Sequence, residues 1–506
     1  MSISIALARA AQAHGHRIAI RRPEGDQTWA QTVDRISRAA GGLYDLGLKK
    51  GEALAILAGN CPEVLEITYA AIWAGIVIVP LNTRLSTPEI NDILHRSGAK
   101  ALAFDRAHEG RLSDVSVPLM AHIAIEGEAW EGFLQTSPPA PRHEARPEEI
   151  LGIYYTGGTT GTPKGVELSQ NAFHITSLDI QIEVKFTEDD VYLHSAPFFH
   201  LADSGLGHAA TYAGAAHAFL PVPTAEATLK ALQTFGVTTM MSVPTGFHDL
   251  VDLIPQGEQL PKVRGVVYGA APMPVPLLRR MMQVFPNARF VQFYGQTELC
   301  GCCTALRPED HRLDGTKLGT VGRATASSLI RIADAEGRAL PPGQSGEIQV
   351  KGYYQMSSYK DDPARTAETF VDGWLRTGDV GSMDEDGYLT VSDRIKDMVV
   401  SGGENVFCGE VEAALASHPS IAQVAVIGRP DPRWGEAVHA VLVLKPQARL
   451  DQEDIFRHCR AQIAAYKCPK SISVATSLPL SAVGKVRKDQ LRRDLEAAPQ
   501  LEGQSQ

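Results

Sequence analysis

The chain has 506 residues, 44% of them apolar and 21% charged, with a formal net charge of -10. That length exceeds the range in which one hydrophobic core keeps growing, so at least two domains of ordinary globular composition are expected. The acidic balance argues against a nucleic-acid binder, whose footprint would be basic. It leaves an anionic small ligand open, because local Lys and Arg dominate the field at a site.

The first 17 residues hold no cationic region ahead of an apolar stretch, and Arg9 interrupts the run, so no secretory signal is expected. The most hydrophobic window, 67–81, is shorter than the roughly 20 residues of a membrane-spanning helix. Gly75 divides it into an expected helix over 63–74 and a buried strand over 76–81, so no integral membrane segment is expected. β-branched runs at 53–57, 101–104, 236–244 and 263–270 alternate with helical stretches. The alternation predicts an α/β fold, with a large N-terminal domain of layered, mostly parallel sheets whose loops gather at the strand carboxyl ends. Past about residue 320 the turn-rich segments 339–352 and 383–394 predict a small antiparallel subdomain. Beyond Lys396 the pattern strand, helix, strand, strand, helix predicts a small C-terminal α+β domain, which gives domains of 1–395 and 396–506. The polar tail after about Leu495 is expected to fray. Cys61, Cys300, Cys302, Cys303, Cys408, Cys459 and Cys468 are an odd set that suits a reducing cytoplasm better than a disulfide scaffold.

The strongest local feature runs from Tyr154 to Gly165, where four glycines and four threonines surround Lys164 just after an apolar run. Glycine lets backbone N–H groups turn toward an anion, threonine hydroxyls add donors, and the lysine adds a mobile positive charge. The combination suits a polyphosphate, although the spacing is not that of the common nucleotide P-loop. A flexible surface hairpin is the plainer alternative. With the further motifs in order, the chain resembles the adenylate-forming superfamily of acyl- and aryl-CoA synthetases, luciferases and peptide-synthetase adenylation domains. The superfamily loop reads T-S-G-T-T-G-x-P-K-G. Here Gly157 replaces the serine, which puts more weight on Thr156, Thr159, Thr160 and Lys164, with Gly158 and Gly161 in the loop.

The resemblance implies carboxylate + ATP → acyl-AMP + PPi, followed by acyl transfer to coenzyme A with release of AMP. It assigns Mg²⁺ to Glu298 and Thr156, the α-phosphate to Thr297, and the adenine to Tyr294, Gly295 and the small-residue turn Gly269–Ala270–Ala271. Asp379, with Arg394, would hold the ribose. Lys485 would bridge the substrate carboxylate and the α-phosphate. Because Lys485 must leave before the thiol enters, the small domain is expected to be mobile, with Lys396 as its hinge and Gly402 and Gly403 lining the pantetheine tunnel. Trp434, Tyr466 and Lys470 resemble CoA-contacting positions, with Lys467 a second phosphate candidate. Cys468 stands where some relatives have arginine. Outside the ordered set, the turn at 294–298 and the charged segment at 393–397 would read only as surface.

His200, in the aromatic segment Pro197–Phe198–Phe199–His200, is implied to gate and wall the acyl pocket. Asp203 is either an acceptor for His200 or a helix N-cap, with the cap favoured. Cys300, Cys302 and Cys303 lack the paired spacing of a Zn²⁺ site and are expected to be small apolar pocket or core residues. No arginine stands in the pocket segments, so an apolar monocarboxylic acid, aromatic or medium- to long-chain, is expected. The alternatives are a ligase that loads a carrier protein, a luciferase-like oxidase, and a catalytically silent nucleotide- or acyl-binding relative. A homodimer is allowed.

Overall fold

A computed structural model describes residues 2–156, 163–271, 273–394, 398–401, 404–431, 434–480 and 486–497. The chain divides into two compact units. One comprises Met1–Ile330, Val350–Leu375 and Asp386–Leu389, and the other Arg331–Gln349, Arg376–Glu385 and Thr390–Gln506.

The first unit is built on two sheets. The run at 53–57 forms strand Ala53–Leu57, buried at every position as a strand covered on both faces requires. It pairs in parallel with Val77–Pro80 and Ala99–Phe104 in a seven-stranded sheet. One edge of that sheet carries the antiparallel hairpin of Ile150–Thr156 and Lys164–Ser169, with Ser358–Tyr359 outermost. Helix Pro62–Ala74 starts with proline in its first turn, where no N–H partner is lost, and ends at Gly75 with φ +70°. Glycine takes up that left-handed turn without a Cβ penalty, so the apolar window splits into helix and strand as expected. Among the described residues no helix is long and apolar enough to cross a membrane.

The second sheet has nine strands, and Val191–His194, Ala216–Phe219, Thr239–Ser242, Gly265–Gly269 and Arg289–Tyr294 run parallel within it. The segment 236–244 is not one strand. It stops at Ser242 because Pro244 opens helix Pro244–Leu253. Phe247, Leu250, Val266, Tyr268, Met281 and Phe285 pack together at this sheet. Burying each such side chain contributes about 2 kcal/mol.

In the second unit, Val399–Ser401, Glu404–Val406, Ile421–Asp431, Gly435–Leu444 and Ser471–Val474 form one five-stranded sheet. Helices Cys408–Ala416 and Gln452–Arg460 supply Val411, Leu415, Ile455 and Cys459 to a core with Val426 and Leu442. The second of the two helices expected in this domain runs over Gln452–Arg460. The turn-rich segments contribute Gly346–Lys351 and Leu389–Arg394 to a further five-stranded sheet.

Candidate active site

Register places the first pair of loops. Gly269 lies opposite Phe293 in adjacent parallel strands, so the turn Gly269–Ala270–Ala271 and the turn at Tyr294–Gly295 leave the sheet side by side at its carboxyl end. Ala270 sits at φ +65°, an uncommon conformation for a residue with a Cβ, and both alanines are exposed. Gly295 allows a close backbone approach: a Cβ there would stand 2.5 Å from the Gly301 carbonyl oxygen and 2.6 Å from Cys302 Cα. Gly295→Ala should therefore cost about 1–3 kcal/mol of stability. It should also weaken ATP binding, and denaturant unfolding beside nucleotide titration checks both.

The glycine-rich segment falls between two antiparallel strands, Ile150–Thr156 and Lys164–Ser169. Thr156 pairs with Lys164 across its two strands, and Tyr155 with Gly165. Gly157, Gly158, Thr159, Thr160 and Gly161 lie outside the described residues. Strand Ser358–Tyr359 continues the sheet, with Tyr359 opposite Val166. The Lys164 ammonium stands 5.4 Å from the centroid of the Tyr359 ring, within cation–π range. The Tyr359 hydroxyl donates to Glu298 Oε1 at 2.8 Å, and the Met356 N–H donates to the Glu298 carbonyl at 2.8 Å. Thr297 and Glu298, both half-buried, form a 3₁₀ turn with Leu299 just after the Tyr294–Gly295 bend. Burial first, and then the Glu298 charge, raise the Tyr359 hydroxyl above its ordinary pKa, so it remains a proton donor. Sequence reasoning missed Tyr359. Its partner is 61 residues away, and nothing in its own neighbourhood marks it.

His200 is the N-cap residue of helix Leu201–Ala213, half-buried with its ring centroid 4.5 Å from that of Phe199. Phe198 and Phe199 line a small, mostly apolar hollow with Ile56, Ala58, Val64, Thr68, Pro80 and Tyr154. A second, wider hollow is lined by Ser195, Met240, Ser242, Leu250, Glu226 and Asp249 among others, a more polar set. Cys300, Cys302 and Cys303 are buried free thiols, and Cys303 Sγ lies 3.5 Å from the Tyr294 carbonyl oxygen.

Asp203 does not cap the helix. It lies inside the first turn, where its carboxylate accepts from Tyr192 Oη at 2.9 Å and meets His194 Nδ1 at 2.5 Å. Both oxygens are thus engaged away from His200. The chain of contacts continues from His194 to His217, Thr211, Tyr69 and His208, every member fully or almost fully buried. Buried polar groups need such partners, and each member here has at least one, although His208 Nε2 finds none among the described residues.

Burial, reinforced by His194, lowers His208 to about 3, and burial pushes His217 well below the ordinary value. Both stay neutral in the fold but bind protons once unfolded below a pH of about 6.5. Their contribution to stability is complete above that pH and is lost as pH falls toward the folded pKa. Going from pH 7 to pH 5 should cost about 2 kcal/mol for His208 alone. Urea midpoints at the two pH values check this, with a shallower pH dependence expected for His208→Gln.

In the second unit, Asp379 is buried in strand Trp374–Met383, its N–H donating to Thr377 Oγ1 at 3.1 Å. Thr377 Oγ1 in turn donates to the Ile348 carbonyl at 2.7 Å. Arg394 ends strand Leu389–Arg394, and its side chain lies outside the described residues, as do Lys396, Gly402, Gly403 and Lys485. Trp434, Tyr466 and Lys470 come together: the Lys470 ammonium stands 5.6 Å from the Trp434 ring centroid and 3.4 Å from the Tyr466 carbonyl oxygen. Lys467 instead reaches both Glu410 carboxylate oxygens at 2.7 Å, which leaves Lys470 the better phosphate candidate of the two. Cys468 is buried in the core of the unit.

Residues 7–360 match the AMP-binding enzyme family, and residues 410–485 match the AMP-binding enzyme C-terminal domain. The chain is 34% identical to a feruloyl-CoA synthase of an Amycolatopsis species over 96% of its own length and 97% of the relative's. It is 32% identical to a fatty acid–[acyl-carrier-protein] ligase of Streptomyces coeruleorubidus, over 92% of this chain and 91% of that one. The fold is similar to that of o-succinylbenzoate CoA synthetase from Bacillus subtilis in complex with an acyl-adenylate intermediate. There the TM-score is 0.87 and the identity 29%, over 98% of each chain.

Proposed function

Because the chain belongs to the family of AMP-binding enzymes, we propose that it is an ATP-dependent acid–thiol ligase. It would convert a carboxylic acid to an acyl-adenylate, then pass the acyl group to coenzyme A with release of AMP. The observation that carries this reading is the joining of Lys164 and Glu298 through Tyr359, at the strands that flank the glycine- and threonine-rich segment.

Adenylation sets an anionic carboxylate against an anionic triphosphate, so that repulsion must be neutralised and charge at the α-phosphorus stabilised. Glu298 offers a carboxylate held by one hydrogen bond, and Thr156 a hydroxyl at the strand end. These are the hard oxygen donors that suit Mg²⁺. Mg²⁺ held there would supply charge neutralisation at the phosphates. In this reading Lys164 contacts the β- and γ-phosphates, Thr297 the α-phosphate, and Asp379 with Arg394 the ribose. The exposed Ala270 and Ala271 leave flat space for adenine beside Tyr294. Lys485 stabilises charge that develops between carboxylate and α-phosphate, and Lys396 is the proposed pivot for the second half-reaction. Trp434, Tyr466 and Lys470 are the proposed CoA contacts.

The acid is proposed to be an apolar monocarboxylate, on the evidence of the apolar wall at Phe198 and Phe199. The seven buried free thiols support a reducing compartment, the cytoplasm. The second reading, transfer to a carrier protein, is favoured by the similarity to a ligase of that kind. Incubating the purified chain with ATP, Mg²⁺, CoA and a panel of benzoates and medium- to long-chain fatty acids separates the two. Free acyl-CoA in step with AMP supports the ligase. Acid-dependent adenylate without any acyl-CoA supports the carrier-protein reading.

A further inference from the structure

The geometry points to Tyr359 as a positioning residue for adenylation, one that sets the Glu298 carboxylate and the Lys164 ammonium relative to each other. This rests on the reading of Glu298 as the Mg²⁺ carboxylate. Three links converge on the segment that carries Tyr359. Its hydroxyl holds Glu298 Oε1 at 2.8 Å, its ring stands 5.4 Å from Lys164 Nζ, and the Met356 N–H holds the Glu298 carbonyl at 2.8 Å. The same segment is fixed to the phosphate hairpin by backbone: the Lys360 N–H donates to the Gly165 carbonyl at 2.7 Å, and the Ser357 N–H to the Glu167 carbonyl at 2.8 Å.

Glu298 sits in the 3₁₀ turn that follows strand Arg289–Tyr294 of the nine-stranded sheet, Lys164 opens a strand of the seven-stranded sheet, and the Tyr359 side chain touches both. A carboxylate with three rotatable bonds loses side-chain entropy when a cation fixes it. A hydrogen bond already made to one oxygen removes part of that loss, so the hydroxyl preorganises the ligand. Tyr359 is 7% exposed, so its own position is set by packing.

The test is Tyr359→Phe, which keeps the ring and removes only the hydroxyl. ATP affinity is measured by calorimetric titration without acid, once with Mg²⁺ and once in EDTA. The wild type should bind ATP more tightly with Mg²⁺. The phenylalanine variant should lose about tenfold of that gain, as expected for one hydrogen bond to a charged group, and keep its affinity in EDTA. In the Glu298→Gln background the same change should cost no further Mg²⁺-dependent gain, because the charged carboxylate that the hydroxyl positions is already gone. In turnover the Mg²⁺ requirement should rise, with kcat at saturating Mg²⁺ close to wild type. A phenylalanine variant that keeps the full Mg²⁺-dependent gain, or loses equal affinity in EDTA, overturns the role of Tyr359 and leaves the ligase reading standing. A wild type with no Mg²⁺-dependent gain overturns the metal role of Glu298, and with it this one.

Discussion

Lys485→Ala should lower acid-dependent pyrophosphate–ATP exchange by about a hundred- to a thousandfold, the loss seen when one preorganised donor to a developing charge is removed. The same variant should form thioester from supplied acyl-adenylate and CoA at close to the wild-type rate. The argument is one of differential binding. A lysine that bridges carboxylate and α-phosphate acts on charge present in the adenylation transition state, not in the thioester step. Loss of both half-reactions would mean that Lys485 supports the fold or a shared binding step.

Glu298→Gln should have the next largest effect, a fall of about a hundredfold in kcat/KM for adenylation, because in the proposed reading its carboxylate holds the metal that stabilises charge at the phosphates. Glutamine keeps an oxygen that can accept from Tyr359, and the main-chain bond from Met356 is unaffected. The change therefore isolates the charge. Thermal unfolding should stay within about 0.5 kcal/mol of wild type, as for other substitutions that keep local contacts. Raising Mg²⁺ should recover part of the activity. A variant with wild-type adenylation kinetics would remove Glu298 from the metal site.

What was legible in the sequence follows a physical division. The strand at 53–57, the helix that ends at Gly75 and the α+β character of the last hundred or so residues were readable, because apolar periodicity and chain breakers act locally. The strand boundary at Ser242 was blurred, since a β-branched run masked the helix start that Pro244 sets. Asp203 resembled a cap because its position in the chain fits one. Its real partners, Tyr192 and His194, belong to a strand that only the fold brings alongside. Tyr359 failed to register for the same reason, being defined by contacts to Glu298 and Lys164. Motif order names the nucleotide residues from sequence alone, because loops at strand ends are a local feature. The acyl group was not legible. Two hollows of different polarity lie in the first unit, and no single segment spells out either one.

The central claim, adenylation of a free acid, is tested most directly by pyrophosphate–ATP exchange in the absence of CoA. Purified protein with Mg²⁺, ATP and labelled pyrophosphate should exchange label into ATP only when a suitable carboxylic acid is added. Exchange without acid, or none with any aromatic or fatty acid in the presence of demonstrable ATP binding, would contradict it.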